Sequence, residues 1–201
     1  MPRTLSTKKR DLFLSTALRL FVDNGVANTA TAEIAKQAGT AAGTLFLYFP
    51  TKQDLINELV LKISREQAQA IQALIQPDQT VRETFFTIWE GSLRWFIEHL
   101  DAYCYIQQVR DSGMIAERVV QETNQHFGYY YEAIQKGWRE GSIKPYPAEL
   151  IGGILYQDVV AVMNLIQHQP DPVQQAEYIR QGFAIFWDGI RTGDTDLRRE
   201  A

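Results

Sequence analysis

Between Ala32 and Phe49 the chain sets two short apolar groups on either side of a glycine. Ile34, Ala35 and Ala38 recur at helical spacing, Gly39 suits a left-handed stop, and Leu45, Tyr48 and Phe49 resume the pattern a few residues later. Two short helices joined by so tight a turn make a helix-turn-helix pattern, whose second helix can lie in a DNA major groove with its N-terminal end at the base edges. The charge around this stretch fits a polyanionic partner. Residues 1–52 carry seven basic and three acidic side chains, a net +4, whereas the rest of the chain carries −8 and the whole −4. A basic head on an acidic body is the electrostatic footprint of a DNA reader joined to a domain with another task.

Other chemistries find little support in the residues. Cys104 is the sole cysteine, and His99, His126 and His168 give no metal-ligand spacing with it, so neither a metal nor a cofactor is expected. No Gly-rich phosphate loop, Ser-His-Asp order or carboxylate pair stands out. Asp158 within an apolar run and Glu90 beside Trp89 are the positions a helical enzyme would use.

The elements that must hold the pattern are all helical. Phe13, Ala17, Leu20 and Phe21 give an amphipathic first helix over about Thr7–Asn24, ended by Gly25, and Thr31 is the expected N-cap of the next. Thr51 to Asp54 reads as a capping box opening a helix through Leu55, Ile56, Leu59, Val60 and Ile63 to about Ile75. Thr80 to Glu83 is a second box, ahead of Phe85, Ile88, Trp89, Leu93 and Phe96. A short helix follows over Asp101–Ser112, then a single long one from Ile115 to about Glu140, then one from Pro147 to about Gln169. Asp171 and Pro172 open the last, which runs to about Arg191, and the Asp/Arg-rich end is expected to fray. The class is all-α, with a three-helix head at 1–52 and a larger helical domain at 53–201.

The order Ile34-Ala35, Ala38-Gly39, Gly43-Thr44-Leu45-Phe46, Tyr48-Phe49 and Thr51-Lys52 closely resembles the N-terminal domain of the tetracycline-repressor (TetR) family over roughly residues 8–60. Carried over position by position, the resemblance implies hydroxyls offered to DNA by Thr31 and Thr44, and phosphates reached by Tyr48 and Lys52. Backbone N–H groups at the start of the second short helix would add to the phosphate contacts. Two departures change the expected reading. Ala41-Ala42 stand where the family often has Ser-Lys, removing a hydroxyl cap and a cation, and Phe46-Leu47 stand where it often has Tyr then His. Thr40 is expected to take over the cap. Direct readout is then expected to rest on Thr44, Ala41 and Ala42, with the alanine methyls packing on thymine methyl groups, Leu47 among the DNA contacts and Gly43 allowing close approach, and Lys8, Lys9 and Arg10 adding phosphate attraction.

The body is rich in aromatics. Phe85, Trp89, Phe96, Tyr103, Gln107, Phe127, Tyr130 and Tyr156 are the expected lining of an apolar pocket, with Asn124 and His126 as further polar handles, and the resemblance implies a small apolar or aromatic effector there. Ile151, Leu155, Val159, Val162 and Ile166, with Ile179, Phe183, Phe186 and Ile190, form apolar faces suited to a homodimer across a two-fold axis, with Gly152 and Gly153 permitting close approach. The expected function is a ligand-responsive regulator that leaves a palindromic operator when its effector binds. The rivals are a constitutive DNA-binding protein with a solid body and, behind it, a helical enzyme. No run reaches the roughly 18 uninterrupted apolar residues of a membrane span, so the expected location is cytoplasmic, with no membrane partner.

Overall fold

The computed structural model describes residues 5–193. Among them are ten α-helices and no strand: α1 (Thr7–Asn24), α2 (Thr31–Gln37), α3 (Ala42–Tyr48), α4 (Lys52–Gln72), α5 (Val81–Glu98), α6 (Leu100–Asp111), α7 (Glu117–His126), α8 (Gly128–Arg139), α9 (Ala148–Ile166) and α10 (Pro172–Ile190). The chain is all-α, as its periodicity requires. The Asp/Arg-rich end expected to fray falls on residues 194–201, outside those described. The helices group into two compact units, Met1–Glu66 with His99–His126, and Gln67–Glu98 with Phe127–Ala201.

In the first unit, Phe13, Leu14, Ala17, Leu20 and Phe21 of α1 are buried with Ile34, Ala35 and Leu45 of the two short helices and Leu55, Ile56 and Leu59 of α4. The expected capping box opens α4: the Thr51 N–H donates to Asp54 Oδ2 at 3.0 Å, and the Asp54 N–H to Thr51 Oγ1 at 3.1 Å. A new element joins this core from further along the chain. Tyr105 of α6 stacks on Phe21 with ring centroids 5.8 Å apart, and its hydroxyl donates to the Ile56 carbonyl at 2.9 Å. Gln108, one turn on, accepts the Val26 N–H at 3.2 Å. The first unit therefore takes in α6 and α7 beside the helices of the head. Side-chain partners 49 and 82 residues apart drew α6 to the head.

The single helix expected over Ile115–Glu140 is two helices. At Phe127 the backbone leaves the helical region (φ −99°, ψ 36°), and α8 restarts at Gly128. The two pieces belong to different units. α7 ends at His126, whose Nδ1 lies 2.9 Å from Ser64 Oγ on α4.

The second unit is built around aromatic rings. Phe85 packs on Tyr130, Phe186 and Trp187 at 6.0, 5.9 and 6.1 Å, and Trp89 stacks on Phe186 at 6.4 Å. The Trp89 Nε1–H donates to the Ile179 carbonyl at 2.9 Å. Here α10 can come this close only because residue 182 is glycine. A Cβ there would lie 2.7 Å from Val162 Cγ2 and 2.8 Å from Trp89 Cζ2. Thr80 and Glu83 form the second capping box, and Asp171 accepts the Val173 N–H at 2.9 Å with Pro172 at the first helical position.

Candidate functional site

The tight turn between α2 and α3 depends on Gly39, whose φ of 68° is a conformation that other residues seldom adopt. That turn sends Thr40 back toward α2. Its N–H and its hydroxyl both donate to the Ala35 carbonyl, at 2.9 and 3.2 Å. Thr40 therefore closes α2 and does not cap α3, whose N-cap is Ala41 with no side-chain bond. Thr31 is likewise not a cap. It is the first residue of α2, preceded by an extended Ala30, and it is half-buried at the start of that helix.

The residues expected to meet phosphate divide into anchored and open groups. The Tyr48 hydroxyl accepts the Ser6 N–H at 3.1 Å, and its ring meets the Phe13 ring edge-on at 5.4 Å, so it holds α3 against the start of α1. Lys52 donates to the Ala27 carbonyl at 3.3 Å, and partial burial draws its pKa below the usual lysine value. Arg10 pairs with Glu58 and lies 5.6 Å above the Phe49 ring, so its cation is committed within the first unit. Lys8 and Lys9 are exposed on the first turn of α1.

Around α3 the outward face consists of Ala42, Gly43, Phe46 and Leu47, all exposed, with Ala41 exposed just ahead of the helix and Thr44 half-buried beside it. A Cβ on Gly43 would meet nothing within 4 Å, so the chain's own packing does not call for glycine there. Phe46 is 42% and Leu47 67% exposed. Sequence reasoning named Leu47 as a DNA contact but left out Phe46. Its position one helical turn beyond Ala42 was the signal that would have placed it on this face.

The residues expected to line a pocket are distributed over both units. Phe85, Trp89, Phe96 and Tyr130 are buried in the second, with Phe127 and Tyr156 half-buried there, while buried Tyr103 and half-buried Gln107 belong to the first. Asn124 is exposed, and burial next to Arg65 pulls His126 below the usual imidazole pKa. Tyr130 gives its hydroxyl to the Ala148 carbonyl at 3.2 Å. Its neighbour Tyr129 is the less obvious finding: its hydroxyl is buried and, among the described residues, has no hydrogen-bond partner. Burial raises the pKa of this phenol, leaving it a neutral donor.

The apolar faces expected to form a dimer are filled within the single chain. Ile151, Leu155, Val159, Val162 and Ile166 on α9 and Ile179, Phe183, Phe186 and Ile190 on α10 are all at most 9% exposed within the single chain. They pack α9 and α10 onto each other and onto α5. Gly152 also faces inward, 3.2 Å from the Tyr130 hydroxyl at its Cβ position, whereas Gly153 is open. The opposite side of α9 carries Leu150, Gly153, Ile154, Gln157, Ala161 and Leu165, and that of α10 carries Ile185 and Gly189. α9 is long and apolar enough to cross a membrane, although only a third of its span is buried inside the chain.

Comparison with known proteins agrees with this geometry. The family model for bacterial regulatory proteins of the tetR family matches residues 13–59, from the buried face of α1 to the first turns of α4. A crystal structure of a TetR-family transcription regulator from Shewanella sp. PV-4 is 31% identical, covering 92% of this chain and 99% of that one with a TM-score of 0.86. The HTH-type transcriptional regulator YhgD of Bacillus subtilis is 22% identical over 85% of this chain and 91% of its own length. The HTH-type transcriptional repressor KstR2 of Mycolicibacterium smegmatis is 25% identical over 94% and 93%. The chain belongs to the TetR family of DNA-binding transcription regulators.

Proposed function

We propose that the chain is a homodimeric repressor, freed from a palindromic operator when a small apolar or aromatic effector binds its helical body. The observation that carries this reading is the grip of α6 on the head: Tyr105 holds Phe21 and the Ile56 carbonyl, and Gln108 holds the Val26 N–H. A ligand that binds better to a conformation with α6 displaced must move the end of α1 and the first turns of α4 with it. Operator affinity then falls by population shift. Repression is the sign carried by the name of the KstR2 relative. The aromatic composition of the body favours an apolar effector, and the unpartnered Tyr129 hydroxyl supplies one donor for a polar atom on it.

Dimerisation is assigned to the outward sides of α9 and α10, with Leu150, Ile154, Leu165 and Ile185 as the apolar contacts and Gly153 and Gly189 as close-approach points. Covering this face accounts for the apolarity of α9 without a lipid environment. Two heads on one dimer would read the two halves of a palindrome. Within this arrangement residues 1–52 keep the DNA-reading role. The constitutive alternative has one observation in its favour, the close packing of Phe85, Trp89 and Gly182 in the second unit.

The two readings separate in one experiment. The purified dimer is titrated onto a duplex it has itself enriched from a randomised pool, with and without apolar compounds that raise its melting temperature. A compound that binds the body should weaken duplex binding. Unchanged affinity with the body occupied would refute the repressor mechanism and leave the constitutive reading.

A further inference from the structure

Resting on the DNA-binding reading above, we infer that α3 selects its operator chiefly by thymine methyl groups, with Leu47 and Phe46 as the side chains that discriminate. The outward arc of α3, Ala42, Gly43, Phe46 and Leu47, carries no side-chain hydrogen-bonding group. Polar groups around it are turned to other work: the Thr40 hydroxyl to the Ala35 carbonyl, the Tyr48 oxygen to the Ser6 N–H, and Lys52 to the Ala27 carbonyl. Thr44, at the edge of the arc, brings the nearest hydroxyl.

An apolar face of this kind can still distinguish bases, because thymine alone presents an apolar group in the major groove. Leu47 and Phe46 against a guanine or cytosine edge would strip water from acceptors and donors and give nothing in return. Against a thymine methyl they gain the ordinary free energy of burying a carbon. That the occupant is DNA and not another protein follows from charge as well as from family. The arc sits on the unit that bears Lys8 and Lys9 exposed on α1, in the +4 head of an otherwise acidic chain. Gly43 fits the same picture, since with open space at its Cβ position the helix can settle toward the groove floor.

The test uses the full-length dimer and the duplex it enriches from a randomised pool. Symmetry-related thymines in the two half-sites are replaced by deoxyuridine, which removes the methyl and keeps the pairing. At thymines under α3, each methyl lost should weaken binding about fourfold, so a symmetric pair should cost roughly fifteenfold. Leu47→Ala should shrink the thymine-to-deoxyuridine ratio toward one, and Phe46→Ala should shrink it at a different base position. If deoxyuridine leaves affinity unchanged at every position while the enriched duplex is still preferred over random DNA, the methyl inference falls and DNA reading stands. If no duplex is enriched, both fall. The deoxyuridine series needs only the unaltered protein, so the outcome does not depend on either variant folding.

Discussion

The assignment of the dimer face can be tested by one substitution on each side of α10. Ile185 is 74% exposed in the single chain, whereas Phe183, two residues earlier, is 2% exposed and packs on Phe86, Trp89, Phe186 and Trp187. Burying an isoleucine fully is worth about 1.5–3 kcal/mol. With three quarters of the side chain still open, about 1–2 kcal/mol per copy remains to be gained at an interface, and about twice that across a two-fold axis. Ile185→Lys should therefore weaken the dimer by roughly 30- to 700-fold at 1.4 kcal/mol per decade. It should leave the helical content and the melting of the separated subunit close to those of the parent. Phe183→Ala should do the reverse, removing about 3–5 kcal/mol from the fold by opening a cavity in the aromatic core. Sedimentation over a concentration series, read beside thermal melting, separates the two effects. An Ile185→Lys protein that stays dimeric at the parent's concentrations would refute the outward-face assignment. So would a Phe183→Ala protein that melts normally yet runs as a monomer, which would restore the inward face.

Three further outcomes follow from the packing. Gly182→Ala should lower stability by about 1–3 kcal/mol, less the gain in helix propensity, because Val162 and Trp89 leave no room for a methyl; calorimetric melting measures it, and a more stable variant would contradict the contact. Gln108→Ala leaves the N–H of buried Val26 without its partner. It should cost about 1–3 kcal/mol and weaken duplex binding with the dimer mass unchanged; equal affinity would mean that α6 does not position the head. Asp158 on α9 has its pKa raised by partial burial, so its charged form is disfavoured in the folded chain. The folded state holds that proton more tightly than the unfolded one. The penalty is therefore absent in acid, grows as pH rises from the unfolded to the folded pKa, and is full above both. Asp158→Asn should accordingly raise the melting temperature at neutral pH and change it little in acid, and equal shifts at both would contradict this.

What could be read from the sequence was what depends on neighbours in sequence. Thr51 with Asp54, Thr80 with Glu83, and Asp171 with Pro172 start α4, α5 and α10 where expected, because a capping box is completed within four residues. Gly39 ends α2 for an equally local reason. The misreadings involve partners that the local pattern does not specify. Thr31 and Thr40 have the right chemistry for caps, but the turn at Gly39 folds Thr40 onto Ala35, and Ala30 takes the position ahead of Thr31. The ties of α6 to Phe21, Ile56 and Val26 are of the same kind, since nothing near Tyr105 in sequence announces those partners.

A helix can carry more apolar surface than its own core uses. Periodicity finds the apolar stripe of a helix, and on an ordinary surface helix that stripe is the core-facing one. α9 has two: Ile151, Leu155, Val159 and Val162 inward, Leu150, Ile154 and Leu165 outward. The inward stripe is the longer, but a stripe already filled by its own chain leaves little to offer a partner. The same reasoning applies to α3. Its inward residue Leu45 is fully buried, and the apolar surface that its core leaves open is that of Ala42, Gly43, Phe46 and Leu47. An interface has to be found in the apolar surface that remains once the core has been subtracted, and that subtraction needs the fold.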